Sequence, residues 1–337
     1  MSSSAFRPES LARQVAERHA IAAHPPSRRT LLDRLPKQEA ALRAAYRYFL
    51  EATEAQVVTS YAAEWLLDNF YVLEQALREV RQDMPLHYYR QLPKLGTSPW
   101  EGYPRVYAVA RELIAYSEHR LDIDQVTRFV RAYQQVAPLT IGELWALPTM
   151  LRLAVLENLA QAVTRLIRQP YEGEELSTAQ PVPCELADEM VVANCILSLR
   201  MLAAEDWNKF FESVSLVEQV LRGDPAGIYA RMDFETRNRY RGVVESLALA
   251  LGRDEEEIAR EAIRLAEEAQ STTHQSTTYQ STNYQPSNRT AHVGFYLIDK
   301  GRAQLEARLG YRPPLRERLS RWLLDHPTLV YLGSITL

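Results

Sequence analysis

Asp122 and Asp124, separated by Ile123, stand in the D-x-D spacing with which many sugar-transferring enzymes hold a metal ion and a diphosphate. That chemistry needs two close carboxylates on a loop at a strand end, beside a nucleotide pocket. Here the pair opens a helical pattern in a helical neighbourhood. It therefore reads as a helix start, where acidic groups favour the positive end of the helix dipole. Arg321-Trp322 matches the end of a Q-x-x-R-W acceptor motif, but Arg318 occupies the position that requires glutamine. The histidines at 19, 24, 87, 119, 274, 292 and 326 show no H-E-x-x-H and no paired ligand spacing. G-x-S-x-G, P-loop and G-x-G-x-x-G patterns do not occur. No catalytic residue, cofactor-binding residue or metal ligand is expected in this chain.

Two further groups of side chains stand out. Asp68-Asn69 lies inside an apolar helical stretch, where two adjacent polar groups imply a buried hydrogen-bond network. His87-Tyr88-Tyr89-Arg90 joins aromatic rings to a guanidinium, a combination favoured at interfaces. It equally fits packing beneath the loop that follows. Both groups are read as interaction or buried-network residues, not as chemistry.

The elements that position these residues are helices. Segments 8–23, 36–57 and 61–82 precede a Pro- and Gly-rich loop at 93–104. Tyr103, Val106, Tyr107, Ala110 and Ile114 then fall on one face of a 3.6-residue period, and Val126, Phe129, Val130, Tyr133 and Ala137 repeat the spacing. Asp122–Gln125 and Thr140–Glu143 read as capping boxes, the second opening a helix to about 167, kinked at Pro148. Residues 169–183 form a polar linker. Segment 185–204 is apolar on most sides and reads as a central buried helix. Asp206, Asp233 and Asp254 each start a further helix. Residues 270–289 read QSTTHQSTTYQSTNYQPSNR, four pentads too polar to offset chain entropy, so disorder is expected there. A helix over 315–325 and an apolar tail close the chain.

Composition agrees with a helical, globular protein. The chain has 337 residues, 46% of them hydrophobic and 24% charged, with only 12 glycines. A length of this order sits above the roughly 250–300 residues at which one core divides. The net charge of −4 gives no basic surface for a nucleic-acid partner. Cys184 and Cys195 lack C-x-x-C spacing and are expected to be reduced and buried. The first residues lack an apolar signal core, and no run reaches the roughly 20 apolar residues of a membrane span. A soluble, cytoplasmic protein is expected.

Four stretches carry more than periodicity: Trp65–Leu95, Gly102–Leu159, Asp206–Leu247 and His292–Glu306. In this order they resemble the N-terminal helical region of bacterial cyclic β-1,2-glucan synthases. In that family a cytoplasmic helical portion precedes membrane helices, a processive transferase that uses UDP-glucose, and a phosphorylase-like module. The resemblance implies a chain without the transferase's catalytic residues, cut before the membrane part, with its tail as the start of a severed membrane segment. It also implies a place at the inner face of the cytoplasmic membrane, with the membrane and transferase portion of the same synthase as partner.

The expected fold is all-α, a multi-helix bundle or irregular helical array with a disordered Gln/Ser/Thr-rich linker near residue 280. The expected organisation is an N-terminal extension (1–35), a helical subdomain (36–168), a linker (169–183), a second helical subdomain (184–269), the pentad tract (270–290) and a C-terminal segment (291–337). The expected function is that of a non-catalytic scaffolding or regulatory portion of such a synthase, inactive alone. A stand-alone helical adaptor derived from one is the alternative. An enzyme with an acid/base pair hidden among the helices is a third reading.

Overall fold

Ile141–Leu166 is buried on almost every side, and the first half of the protein is built around it. In the computed structural model, which describes residues 8–26, 30–55, 60–167, 187–276 and 289–314, the described residues form fifteen α-helices and no strand. The chain divides into two units, residues 1–215 and 216–337. The expected grouping of 184–269 spans that division.

The first unit contains α1 (Pro8–Arg18), α2 (Leu35–Glu54), α3 (Tyr61–Asp68), α4 (Phe70–Asp83), α5 (Leu86–Gln91), α6 (Arg105–Tyr116), α7 (Ile123–Gln134), α8 (Ile141–Leu166), α9 (Asp188–Ala204) and α10 (Trp207–Val214). Helices α2, α4, α6 and α9 pack around α8, while α1 lies on α7. Helix α8 starts at a complete capping box: Glu143 N–H donates to Thr140 Oγ1 at 3.1 Å, and Thr140 N–H donates to Glu143 Oε2 at 3.0 Å. It runs through Pro148 without interruption. Helix α9 is the central apolar helix expected over 185–204, with Val192, Cys195, Ile196 and Leu202 buried.

The second unit contains α11 (Leu216–Leu221), α12 (Phe234–Leu251), α13 (Glu255–Ser276), α14 (Val293–Ile298) and α15 (Arg302–Leu309). Helices α11, α12, α14 and α15 pack against α13. Asp233 caps α12 by accepting from Thr236 N–H at 2.8 Å. Gly252 ends the same helix in the left-handed conformation, φ 62°, which favours glycine.

Several helix boundaries differ from the sequence reading, each for a local reason. The expected helix 61–82 breaks at Asn69, whose Nδ2 donates to Trp65 O at 2.9 Å and so occupies an acceptor of the backbone ladder. The helix beginning at Asp206 divides at Ser215, which is extended at ψ 121°. Helix α13 continues to Ser276 instead of stopping near 269, because extending a formed helix costs little compared with nucleating one. The hydroxyls of Ser271 and Thr272 are absorbed by carbonyls one turn back. Asp122 is an N-cap, accepting from Gln125 N–H at 3.0 Å, without the reciprocal half of a box. The expected linker 169–183, residues 277–288 of the pentad tract, Cys184, the 315–325 helix and the apolar tail lie outside the described residues. Among the described residues no helix is long and apolar enough to cross a membrane.

Candidate functional site

The polar residues concentrated inside this protein are arginine–glutamate clusters, and each arises where two or more helices present long charged side chains to one another. In the first unit Glu157 projects from the buried middle of α8. Its Oε2 accepts from the Tyr107 hydroxyl at 2.5 Å and from Arg111 Nη1 at 2.6 Å, both on α6. Arg34 lies 3.7 Å from its other oxygen and donates to the Tyr103 hydroxyl at 2.7 Å. Burial, reinforced by the neighbouring Glu157 carboxylate, pushes the Tyr107 hydroxyl far above the usual phenol range. Trp100 stands edge-on to Tyr107, with the Arg111 guanidinium over its ring.

One helical turn before the start of α8's long buried stretch, Glu143 pairs with Arg105 through both carboxylate oxygens, and Arg105 also donates to Pro138 O at 2.8 Å. The same carboxylate caps α8, so one side chain both terminates the helix and joins it to α6. Burial alone would lower the Arg105 pKa, but the hydrogen bond to Glu143 together with the nearby Glu143 and Tyr133 charges outweighs it, and the pKa is raised. On the opposite side, Arg152 of α8 reaches Glu79 of α4 at 2.7 Å.

His19 sits against this region, its Nδ1 2.9 Å from the Tyr133 hydroxyl. Burial, then the charges of Arg105 and Arg18, lowers its pKa from 6.5 to about 4. The unfolded chain therefore binds a proton at His19 that the folded unit refuses between those values. The stabilisation is complete above pH ~6.5 and is lost as pH falls towards ~4, by up to about 3 kcal/mol before solvent screening reduces it. A His19→Gln variant should lose less stability across that interval than the parent, in urea titrations of the first unit. Equal loss in both proteins would remove His19 as the cause.

In the second unit Glu218 on α11 is the hub. It accepts from Arg241 Nη1 at 2.8 Å, from the Tyr229 hydroxyl at 2.7 Å, from Arg237 Nη1 at 3.1 Å and from Arg222 Nε at 2.9 Å. Neither Glu218 nor Arg241 has any solvent-exposed side-chain surface. Arg241 also lies over the Phe234 ring, 4.7 Å from its centroid. A few residues further on, Asp224 gathers the backbone N–H groups of Ile228, Tyr229 and Val293 together with His292 Nδ1, at 2.8–3.1 Å. Burial works to raise the Asp224 pKa. The His292 bond and the backbone donors outweigh it, so the carboxyl stays below the ordinary aspartate range.

The residues singled out from sequence are distributed differently. Asp68 is exposed at the C-terminal end of α3, and Asn69 is half-buried at the break before α4. The four residues of His87-Tyr88-Tyr89-Arg90 lie on α5 and separate by face. Tyr89 is buried with its hydroxyl accepting from Leu31 N–H at 3.3 Å, and Tyr88 donates to Gly142 O. His87 and Arg90 are exposed. Cys195 is buried in α9, where burial pushes its thiol far above the usual range, as fits an inert packing cysteine. The glutamate hubs were not legible as such. Alternation of charged residues within apolar helices was the available signal, but it does not say which arginine meets which glutamate.

No family model matches the chain. It is 30% identical, over a 352-residue alignment, to the cyclic β-(1,2)-glucan synthase NdvB of Rhizobium meliloti strain 1021. The alignment takes in 85% of this chain and 12% of that synthase. The chain is thus similar to part of a much longer protein, and it spans about an eighth of that relative's length.

Proposed function

We propose that this chain serves as a non-catalytic, scaffolding or regulatory portion of a cyclic β-1,2-glucan synthase, held at the cytoplasmic face of the membrane beside the transferase. The observation that carries the reading is the similarity across most of this chain to a small part of a glucan synthase. The chemistry of the buried carboxylates supports it. Glu143, Glu157 and Glu218 are each clamped by arginine, an arrangement that fixes helix against helix. A general acid or base needs instead a proton it can release within reach of a substrate.

The partner is the membrane and transferase portion of the synthase. Exposed His87 and Arg90 on α5, next to Leu86, are the residues assigned to that contact. Asp68 and Asn69, at the break between α3 and α4, are assigned as further interaction residues, whereas Tyr88 and Tyr89 hold α5 in place from beneath. A tagged copy of the chain is expected to co-purify with the membrane portion after detergent extraction. The His87→Ala, Arg90→Ala double variant should be retained less well while melting at the parent temperature. Tight UDP-glucose binding by the isolated chain in calorimetry would contradict the assignment, and so would failure to co-purify.

A further inference from the structure

A depression of about 320 Å³ opens in the second unit between α12 and α14, lined by Tyr240, Arg289, His292, Gly294, Phe295, Ile298 and Asp299. Its volume falls at the lower end of the roughly 300–1,000 Å³ typical of small-ligand sites. The floor is rigid. A Cβ at Gly294 would collide with the Tyr240 hydroxyl and with His292 Nε2, so only glycine allows α14 to approach α12 this closely. Asp224 holds His292 through Nδ1 at 2.9 Å. With that carboxylate as acceptor, Nδ1 is the donor, and Nε2 lies 3.2 Å from the Tyr240 hydroxyl.

The rim carries opposite charges that cancel. Arg289 donates through Nε at 2.9 Å and Nη2 at 2.6 Å to Asp299 Oδ2. The Lys300 backbone N–H, and then Arg289, hold the Asp299 carboxyl below its ordinary range, so the pair is ionised at neutral pH. Beside it stand a partly exposed phenyl ring, Phe295, and the half-exposed Ile298. A diphosphate or carboxylate ligand would need surplus positive charge, which this lining lacks. A neutral polyhydroxylated ring meets it better. Its C–H face suits Phe295 and Ile298, while its hydroxyls can both donate to Asp299 and accept from Arg289.

We propose that this depression between α12 and α14 is a binding subsite for a neutral saccharide, one or two glucose units of a β-linked glucan. The choice of glucose rests on the function proposed above; the class of ligand rests on the lining. The subsite would hold product chain near the transferase without taking part in the chemistry.

The test uses the full chain, methyl-labelled at isoleucine, titrated with a β-1,2-linked glucose disaccharide. The Ile298 methyl resonance should shift saturably, and Arg289→Ala and Ile298→Ala should each weaken binding by about tenfold at unchanged melting temperature. UDP-glucose should bind no more tightly than the disaccharide, since its diphosphate finds no cation to spare. An unmoved Ile298 methyl, binding indifferent to both substitutions, or tighter binding of UDP-glucose through Arg289 would each overturn the subsite. Co-purification with the membrane portion reads the scaffold function separately, so either idea can fail while the other stands.

Discussion

Replacing Glu218 with glutamine is expected to destabilise the second unit by about 3–5 kcal/mol, the usual cost of leaving a buried cation without its counter-charge. Three arginines and a tyrosine converge on this one carboxylate, and Arg241 has no solvent contact with which to recover hydration. Glutamine keeps the volume and two polar atoms but removes the charge, so the loss isolates electrostatics from packing. Because a domain's whole stability is of the order of 5–15 kcal/mol, the effect should appear as a much lower urea midpoint and faster amide exchange along α12 and α13. A change below about 1 kcal/mol would mean that the cluster is far better solvated than its burial implies. Glu218→Asp keeps the charge one methylene short of its partners and should fall between the two proteins.

The second large effect is expected at Glu157 in the first unit. Glu157→Gln leaves Arg111 and Arg34 facing a neutral group and exchanges the acceptor of the Tyr107 hydroxyl for a weaker one. A loss of about 3–5 kcal/mol follows from the same physics. The comparison that gives the number meaning is Arg165 and Asp188, which form a close pair at 2.6 Å but with side chains 56% and 29% exposed. Arg165→Ala should cost less than about 1 kcal/mol, because water screens that pair and already solvates both members. If Glu157→Gln and Arg165→Ala unfold the first unit at similar urea concentrations, burial is not what makes the Glu157 cluster matter.

Both predictions concern residues on helices that the sequence locates well, yet neither hub could be named from sequence. Thr140, Asp206 and Asp233 declare themselves as caps because the backbone N–H donors they accept from lie two or three residues away, within the reach of a single side chain. The same locality makes Val126, Phe129, Val130 and Tyr133 recognisable as one buried face. Asn69 shows the limit of pattern reading. The apolar periodicity passes straight through it, while its side chain diverts a ladder acceptor and divides the helix.

The all-α class, the capped helix starts at Thr140, Asp206 and Asp233, the buried character of α9 and the likeness to glucan synthases were therefore determined by sequence alone. All of these depend on neighbours within a turn or two, or on the text itself. The tertiary structure decided the rest: that Tyr89 faces inward while His87 and Arg90 face water, and that Asp68 is exposed. It also decided which glutamates become hubs. Arg105 meets Glu143 across 38 residues, Arg111 meets Glu157 across 46, and Arg241 meets Glu218 across 23. The helix that carries a charge is set by local backbone and side-chain preferences. The partner that neutralises it is set by how separate helices pack their apolar faces, and that packing brings together groups whose order along the chain says nothing of their distance in space.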